Sequence, residues 1–165
     1  FDARPGETRR RARPFRRAIL SACAALFAVI SQPLLAAPSC TFTTVTAVSF
    51  GTYNVFAAVP NNNGVGGLTI RCIGGGGPSF AVTLSTGQSN SYASRIMKSG
   101  VNQLNYNLYT TAARTVIWGD GTGGSSTLAA TANSTTILSV FGQIPAGQDV
   151  TVGTYTDSIT ATVTF

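Results

Sequence analysis

The residues that could do chemistry are few. None of the 165 residues is a histidine, so Ser/His and Cys/His nucleophile systems have no base. No glutamate follows Glu7, and the later carboxylates are Asp120, Asp149 and Asp157. A pair for glycoside hydrolysis would have to come from these three. Asp149 and Asp157, however, lie at loop or strand-entry positions, where turn and capping roles are usual. Lys98, the only lysine, stands in Arg95-Ile96-Met97-Lys98, without the S-x-x-K spacing of a serine–lysine nucleophile. Asp120 in Trp118-Gly119-Asp120-Gly121-Thr122 offers one carboxylate, too few oxygens for calcium. The glycine clusters at 64–67 and 74–77 lack the lysine and the following helix of a phosphate loop. This inventory points away from an enzyme and calls for no cofactor or metal. One reaction remains: oxidation of a thiol pair, Cys40 and Cys72.

Whether that pair oxidises depends on compartment. Residues 1–36 carry seven arginines against Asp2 and Glu7. Beyond them Arg71, Arg95, Lys98 and Arg114 nearly balance Asp120, Asp149 and Asp157. The basic character therefore belongs to the leader, and no basic stripe suggests nucleic acid. The leader has secretory form: arginines through Arg17, an apolar run over 18–35, then Ala36-Ala37. Pro38 disfavours cleavage after Ala37, which places the cut after Ala36 and gives a mature domain of 37–165. An uncleaved anchor is the bland alternative, the run being of about the minimum spanning length. Leu20-Ser21-Ala22-Cys23 resembles a lipobox, but Cys23 interrupts the apolar run instead of following it. Arg16-Arg17 is a poor twin-arginine signal, since no cofactor requires prefolding. Export places Cys40 and Cys72, the domain's only cysteines, where they form a disulfide. Closing a loop of 31 intervening residues contributes about 3–4 kcal/mol on the chain-entropy model.

The elements that must hold these residues are strands. After Leu35 no helical period persists. Short alternating runs recur between Gly, Asn and Ser clusters: 40–48, 68–72, 80–84, 103–110, 115–118 and 136–141. A flexible loop is expected over 119–127. The last run alternates strictly, with Ile159, Ala161, Val163 and Phe165 on one face and Thr160, Thr162 and Thr164 on the other. Seven or so short strands with Thr/Ser outside and Val/Ile/Leu/Phe inside indicate an antiparallel all-β sandwich. Asn133-Ser134-Thr135 is a glycosylation sequon by pattern only.

A further set of residues, in order along the chain, carries a resemblance. It runs from Cys40 through Phe50-Gly51-Thr52-Tyr53 to Cys72, then Arg95 and Met97, Leu104-Asn105-Tyr106-Asn107-Leu108-Tyr109 and Trp118-Gly119-Asp120-Gly121. It ends in Phe141-Gly142-Gln143-Ile144-Pro145-Ala146-Gly147-Gln148 and Gly153-Thr154-Tyr155-Thr156-Asp157. Each element alone is weak; together, over 40–165, they resemble the spore coat protein U domain, the pilin-like subunits of archaic chaperone–usher fimbriae. The resemblance implies an incomplete immunoglobulin-like sandwich lacking one strand, with a hydrophobic groove beside an unpaired edge. It implies a periplasmic pilus chaperone, an outer-membrane usher and other pilin subunits as partners, with a host or abiotic surface as a further contact. The route is then through the periplasm to the cell surface. Ile159, Ala161, Val163 and Phe165 would border the groove, and the Phe165 carboxylate would be a handle for the chaperone.

The expected mature start departs from a polymerising subunit. Ala37-Pro38-Ser39 spans at most about 10 Å, and Pro38 cannot donate a ladder hydrogen bond. Such a chain accepts a strand without giving one, as a terminal or tip subunit or the first half of a longer one. The competing reading is a self-complete secreted sandwich, a coat or carbohydrate-binding protein, with Trp118, Tyr106 and Tyr109 as a sugar-stacking patch.

Overall fold

The computed structural model describes residues 37–74, 77–131 and 134–165. The leader, Gly75-Gly76 and the sequon's Asn133 lie outside the described residues. Eight strands follow in order: β1 Ser39–Ser49, β2 Val65–Ile73, β3 Ser79–Leu84, β4 Arg95–Ser99, β5 Asn102–Tyr109, β6 Leu128–Thr131, β7 Thr135–Gln143 and β8 Ala161–Thr164. A single 3-10 turn, Gly87–Ser89, precedes β4. The strands form two antiparallel sheets, β1-β2-β7-β5-β4 and β6-β3-β8. Their inner faces share one core that includes Leu68, Ile70, Val82, Leu84, Leu104, Leu108, Leu138 and Val140.

Period-two alternation makes this arrangement. Phe80, Val82 and Leu84 of β3 point inward, as do Leu68, Ile70 and Cys72 of β2, while the residues between them are more exposed. Cys40 faces Cys72 in the β1–β2 ladder at a Cα–Cα distance of 4.1 Å, and the two are disulfide-bonded. The Cys72 N–H donates to the Ser134 carbonyl, away from β1. The two cysteines are therefore a non-hydrogen-bonded pair, the kind whose side chains lie closest.

Three expectations need correction. The run 115–118 is no strand: it makes isolated bridges, Tyr109 to Ile117 and Trp118 to Ser126, after a left-handed Arg114 (φ 55°). The segment 119–127 is a tied turn. Asp120 Oδ1 accepts from the Thr122 N–H (2.9 Å) and hydroxyl (2.7 Å), and Gly119 N–H donates to the Ser126 carbonyl (2.9 Å). The last ladder covers only Ala161–Thr164 against β3, so the alternation does not carry Phe165 inward; its side chain is 54 % exposed. Strands β4 and β6 were not among the expected runs. β4 carries Arg95 and Lys98 in five residues, and β6 is Leu-Ala-Ala-Thr, too short for alternation to register.

Candidate strand-acceptor cleft

The smaller sheet does not cover the larger one. Over the uncovered part lies a cleft of about 440 Å³, lined by β1 residues including Val45 and Val48, by Phe50, and by Tyr155, Asp157, Ile159 and Ala161. Its floor is the core itself: Leu68, Leu84, Met97, Tyr106, Leu108 and Val140. A second cleft of about 720 Å³ continues past the shared Val48, Phe50, Met97 and Tyr155 to Phe56 and Val152.

Two sheet edges flank this opening. β8 pairs with β3 alone, and β1 with β2 alone, among the described residues. The inner half of β1 is bent by register shifts between Phe42 and Thr44 and between Thr46 and Ser49. Bulges of this sort re-aim an edge strand. Here they coincide with a β1 whose second half exposes Val45 (65 %) beside the cleft.

The motif residues divide between the cleft and its support. The Phe50 ring meets Tyr106 edge-on, centroids 5.7 Å apart at 75°. Gly142 and Gly64 pack so tightly on Phe50 that a Cβ on either would overlap the ring. Gly51 (φ 66°) turns the chain so that the Tyr53 hydroxyl donates to the Pro145 carbonyl (2.9 Å) and accepts from the Gln148 N–H (3.0 Å). Gly147 (φ 72°) lies in the same turn. Gly153 packs against Ser99, Tyr155 OH donates to the Thr151 carbonyl (2.9 Å), and Phe141 faces both Val65 and Tyr109 across the sheet. Tyr106 donates to Asp157 Oδ2 at 2.7 Å; burial and then this bond push its pKa far above the usual phenol range. Asp120 is an exposed turn carboxylate whose bonds from Thr122 hold its pKa below the ordinary value.

Behind the cleft sits a group that the chain's composition hides. Arg95 is fully buried (0 % exposed) without a carboxylate partner among the described residues. Its Nε and one terminal nitrogen donate to the Ser85 carbonyl (3.0 and 2.9 Å). That same terminal nitrogen also donates to the Trp118 carbonyl, and the other terminal nitrogen to Asn107 Oδ1, both at 2.7 Å. The Tyr92 ring lies 5.3 Å beneath the guanidinium. Trp118, also fully buried, donates from Nε1 to the Val82 carbonyl (2.9 Å). Buried Trp118 and Tyr106 present no stacking surface, which removes the sugar patch as expected for those residues. Ile159 and Ala161 line the cleft; Val163 is half-buried against the core, and Phe165 lies outside the lining. Val45, Val48, Leu68, Leu84 and Met97 were not expected there. The sequence signal for the wall was the alternation from Ile159; the half-burial of Tyr155 and Asp157 extends it back before the ladder begins.

Residues 24–162 match the family model of the Spore Coat Protein U domain. The chain belongs to that family. The match starts inside the apolar run assigned to the leader. No curated protein matches the chain. Among solved structures it is similar to a chain of the CsuC–CsuE chaperone–tip adhesion subunit pre-assembly complex, from the archaic chaperone–usher Csu pili of Acinetobacter baumannii. The identity is 23%, the TM-score 0.50, and the likeness covers 78% of this chain and 40% of that one. The likeness is one of fold: an all-β, pilin-type sandwich of two antiparallel sheets with one disulfide.

Proposed function

We propose that this Spore Coat Protein U domain is an exported structural and adhesive subunit of a surface fimbria, completed by a β-strand from a partner. The observation that carries the reading is the unpaired outer edge of β8 beside a cleft whose floor is the protein core. An added strand there pairs its main chain with β8 and lowers alternate side chains onto Leu84, Met97 and Leu108. It also removes an exposed edge that would otherwise template aggregation. A periplasmic chaperone supplies this strand first, a neighbouring subunit supplies it permanently, and an outer-membrane usher mediates the exchange. The leader of 1–36 directs export, and the disulfide fits the oxidising periplasm.

Co-expression with a chaperone from a neighbouring reading frame tests the proposal. The expected result is degradation or aggregation of the chain alone and recovery of a one-to-one complex with the chaperone. A stable, monomeric chain that ignores the chaperone would mean a self-complete sandwich and end the proposal.

A further inference from the structure

The wall leading into β8 is half-buried at every second residue: Tyr155, Asp157, Ile159, Ala161 and Val163. Four of these pack on the core. The fifth, Asp157, is the only carboxylate lining the cleft among the described residues, and no lysine or arginine among them lines it. Asp157 is firmly placed. Its Oδ2 accepts the Tyr106 hydroxyl (2.7 Å), and its Oδ1 accepts the Gln88 N–H (3.0 Å) and the Ser158 N–H (2.8 Å). Gly87 (φ 64°) lies so close that a Cβ there would overlap the carboxylate. The side chain cannot retreat toward the 3-10 turn, and three donors leave about one acceptor site of a carboxylate unused. Arg95 commits its donors to Ser85, Trp118 and Asn107 and provides none to this group.

We infer that the strand received by this cleft carries a neutral hydrogen-bond donor, of the Ser, Thr, Asn or Gln class, at the position seated against Asp157. Apolar residues occupy the flanking positions that face Tyr155 and Ile159. The inference rests on the strand-acceptor reading and names the chemistry of its partner. Residues two apart on a strand are spaced by about 6.6–6.8 Å, so a partner strand keeps step with the wall: apolar, donor, apolar. An apolar side chain over Asp157 strips water from the carboxylate and returns no hydrogen bond. An acidic one adds like charge, and a lysine must bury its ammonium among Leu84, Met97 and Phe50.

The test uses the full chain purified with its chaperone and a panel of ten-residue alternating valine peptides, identical except for Thr, Val, Lys or Asp at one inward position. Capture is read as release of the chaperone. The Thr peptide is expected to be captured about tenfold better than the all-Val peptide, a factor of ten being about 1.4 kcal/mol. In Asp157→Ala the ratio of Thr-peptide to all-Val capture is expected to fall to about one. Equal or better capture of the Val, Lys or Asp peptide by the unmodified chain overturns the inference and leaves the cleft as a strand acceptor. Capture of none of the four sinks the strand-acceptor reading and the inference with it.

Discussion

The two sides of this sandwich are finished to different degrees. Around Trp118 and Arg95, every buried side-chain nitrogen and oxygen among the described residues has a partner, and the 119–127 turn is bonded back to its own strands. Around β8 and the second half of β1, core residues such as Leu84 and Met97 line open space, and Val45 lies out in solvent. A sandwich can leave one side open when the other holds the fold alone. Buried polar networks reward full satisfaction and penalise any break, which suits the closed side to stability. An uncovered apolar floor leaves transfer free energy unrealised until a strand arrives, which suits the open side to association. Stability and assembly are thus assigned to adjoining parts of one core.

The sharpest way to break this division is to damage the closed side. Arg95→Ala strands the Ser85 and Trp118 carbonyls and leaves the Asn107 amide oxygen with the Leu108 N–H alone. A loss of about 3–5 kcal/mol is expected, from two orphaned carbonyls at about 1–3 kcal/mol each and the cavity left by the side chain. Urea denaturation of the chaperone-free chain, or its failure to accumulate, measures this. A loss below about 1 kcal/mol would mean that the Arg95 hub is not what holds the fold. Next in size is the disulfide. Cys40→Ser/Cys72→Ser is expected to cost about 3 kcal/mol, seen as a lower urea midpoint that equals the midpoint of the reduced parent chain.

The closed side was the less legible from sequence. Arg95 was visible as a motif residue, yet nothing in its spacing shows that a cation sits in the core. Its satisfaction comes from Ser85, Asn107 and Trp118, which lie on separate strands and turns and meet only in three dimensions. For Trp118 core or loop packing was the commoner reading, with a surface stacking patch as the alternative. The strand set was largely legible because inward residues recur at period two in β2, β3, β5 and β7. β6 and β4 were not: the first is too short and weakly apolar, the second spans charges. The cleft was half legible. Ile159 and Ala161 follow from alternation, but Leu68, Leu84 and Met97 line it only because one sheet is narrower than the other.

A smaller effect lies where the two sides meet, at Tyr106. Its hydroxyl is buried and bonded to Asp157, so its folded-state pKa lies above its unfolded value. A group raised in this way contributes stability below its unfolded pKa, about 10, and loses it as pH rises further. The unfolding free energy should therefore fall above about pH 10. In Tyr106→Phe that fall should be shallower, with the remainder due to Tyr92 and Tyr109, whose pKa values are also raised by burial. An unchanged slope would place the alkaline sensitivity elsewhere and detach Tyr106 from the buried network.

The smallest stability effect should accompany the clearest functional one. Val45 lines the cleft and is largely exposed, so Val45→Lys removes few contacts from the strand-free chain. Its unfolding free energy should stay within about 0.5 kcal/mol of the parent. The same substitution sets an ammonium where the incoming strand must dock its apolar side chains, and burying an unpaired charge is costly. Recovery of the chaperone complex should fall severalfold at unchanged chain stability. Arg95→Ala should give the opposite pattern: the residual folded chain still captures a strand, but little folded chain exists. If Val45→Lys destabilises the chain and leaves capture intact, the rim of β1 belongs to the structural core. The division between a holding side and a receiving side would then have to be redrawn around β8 alone.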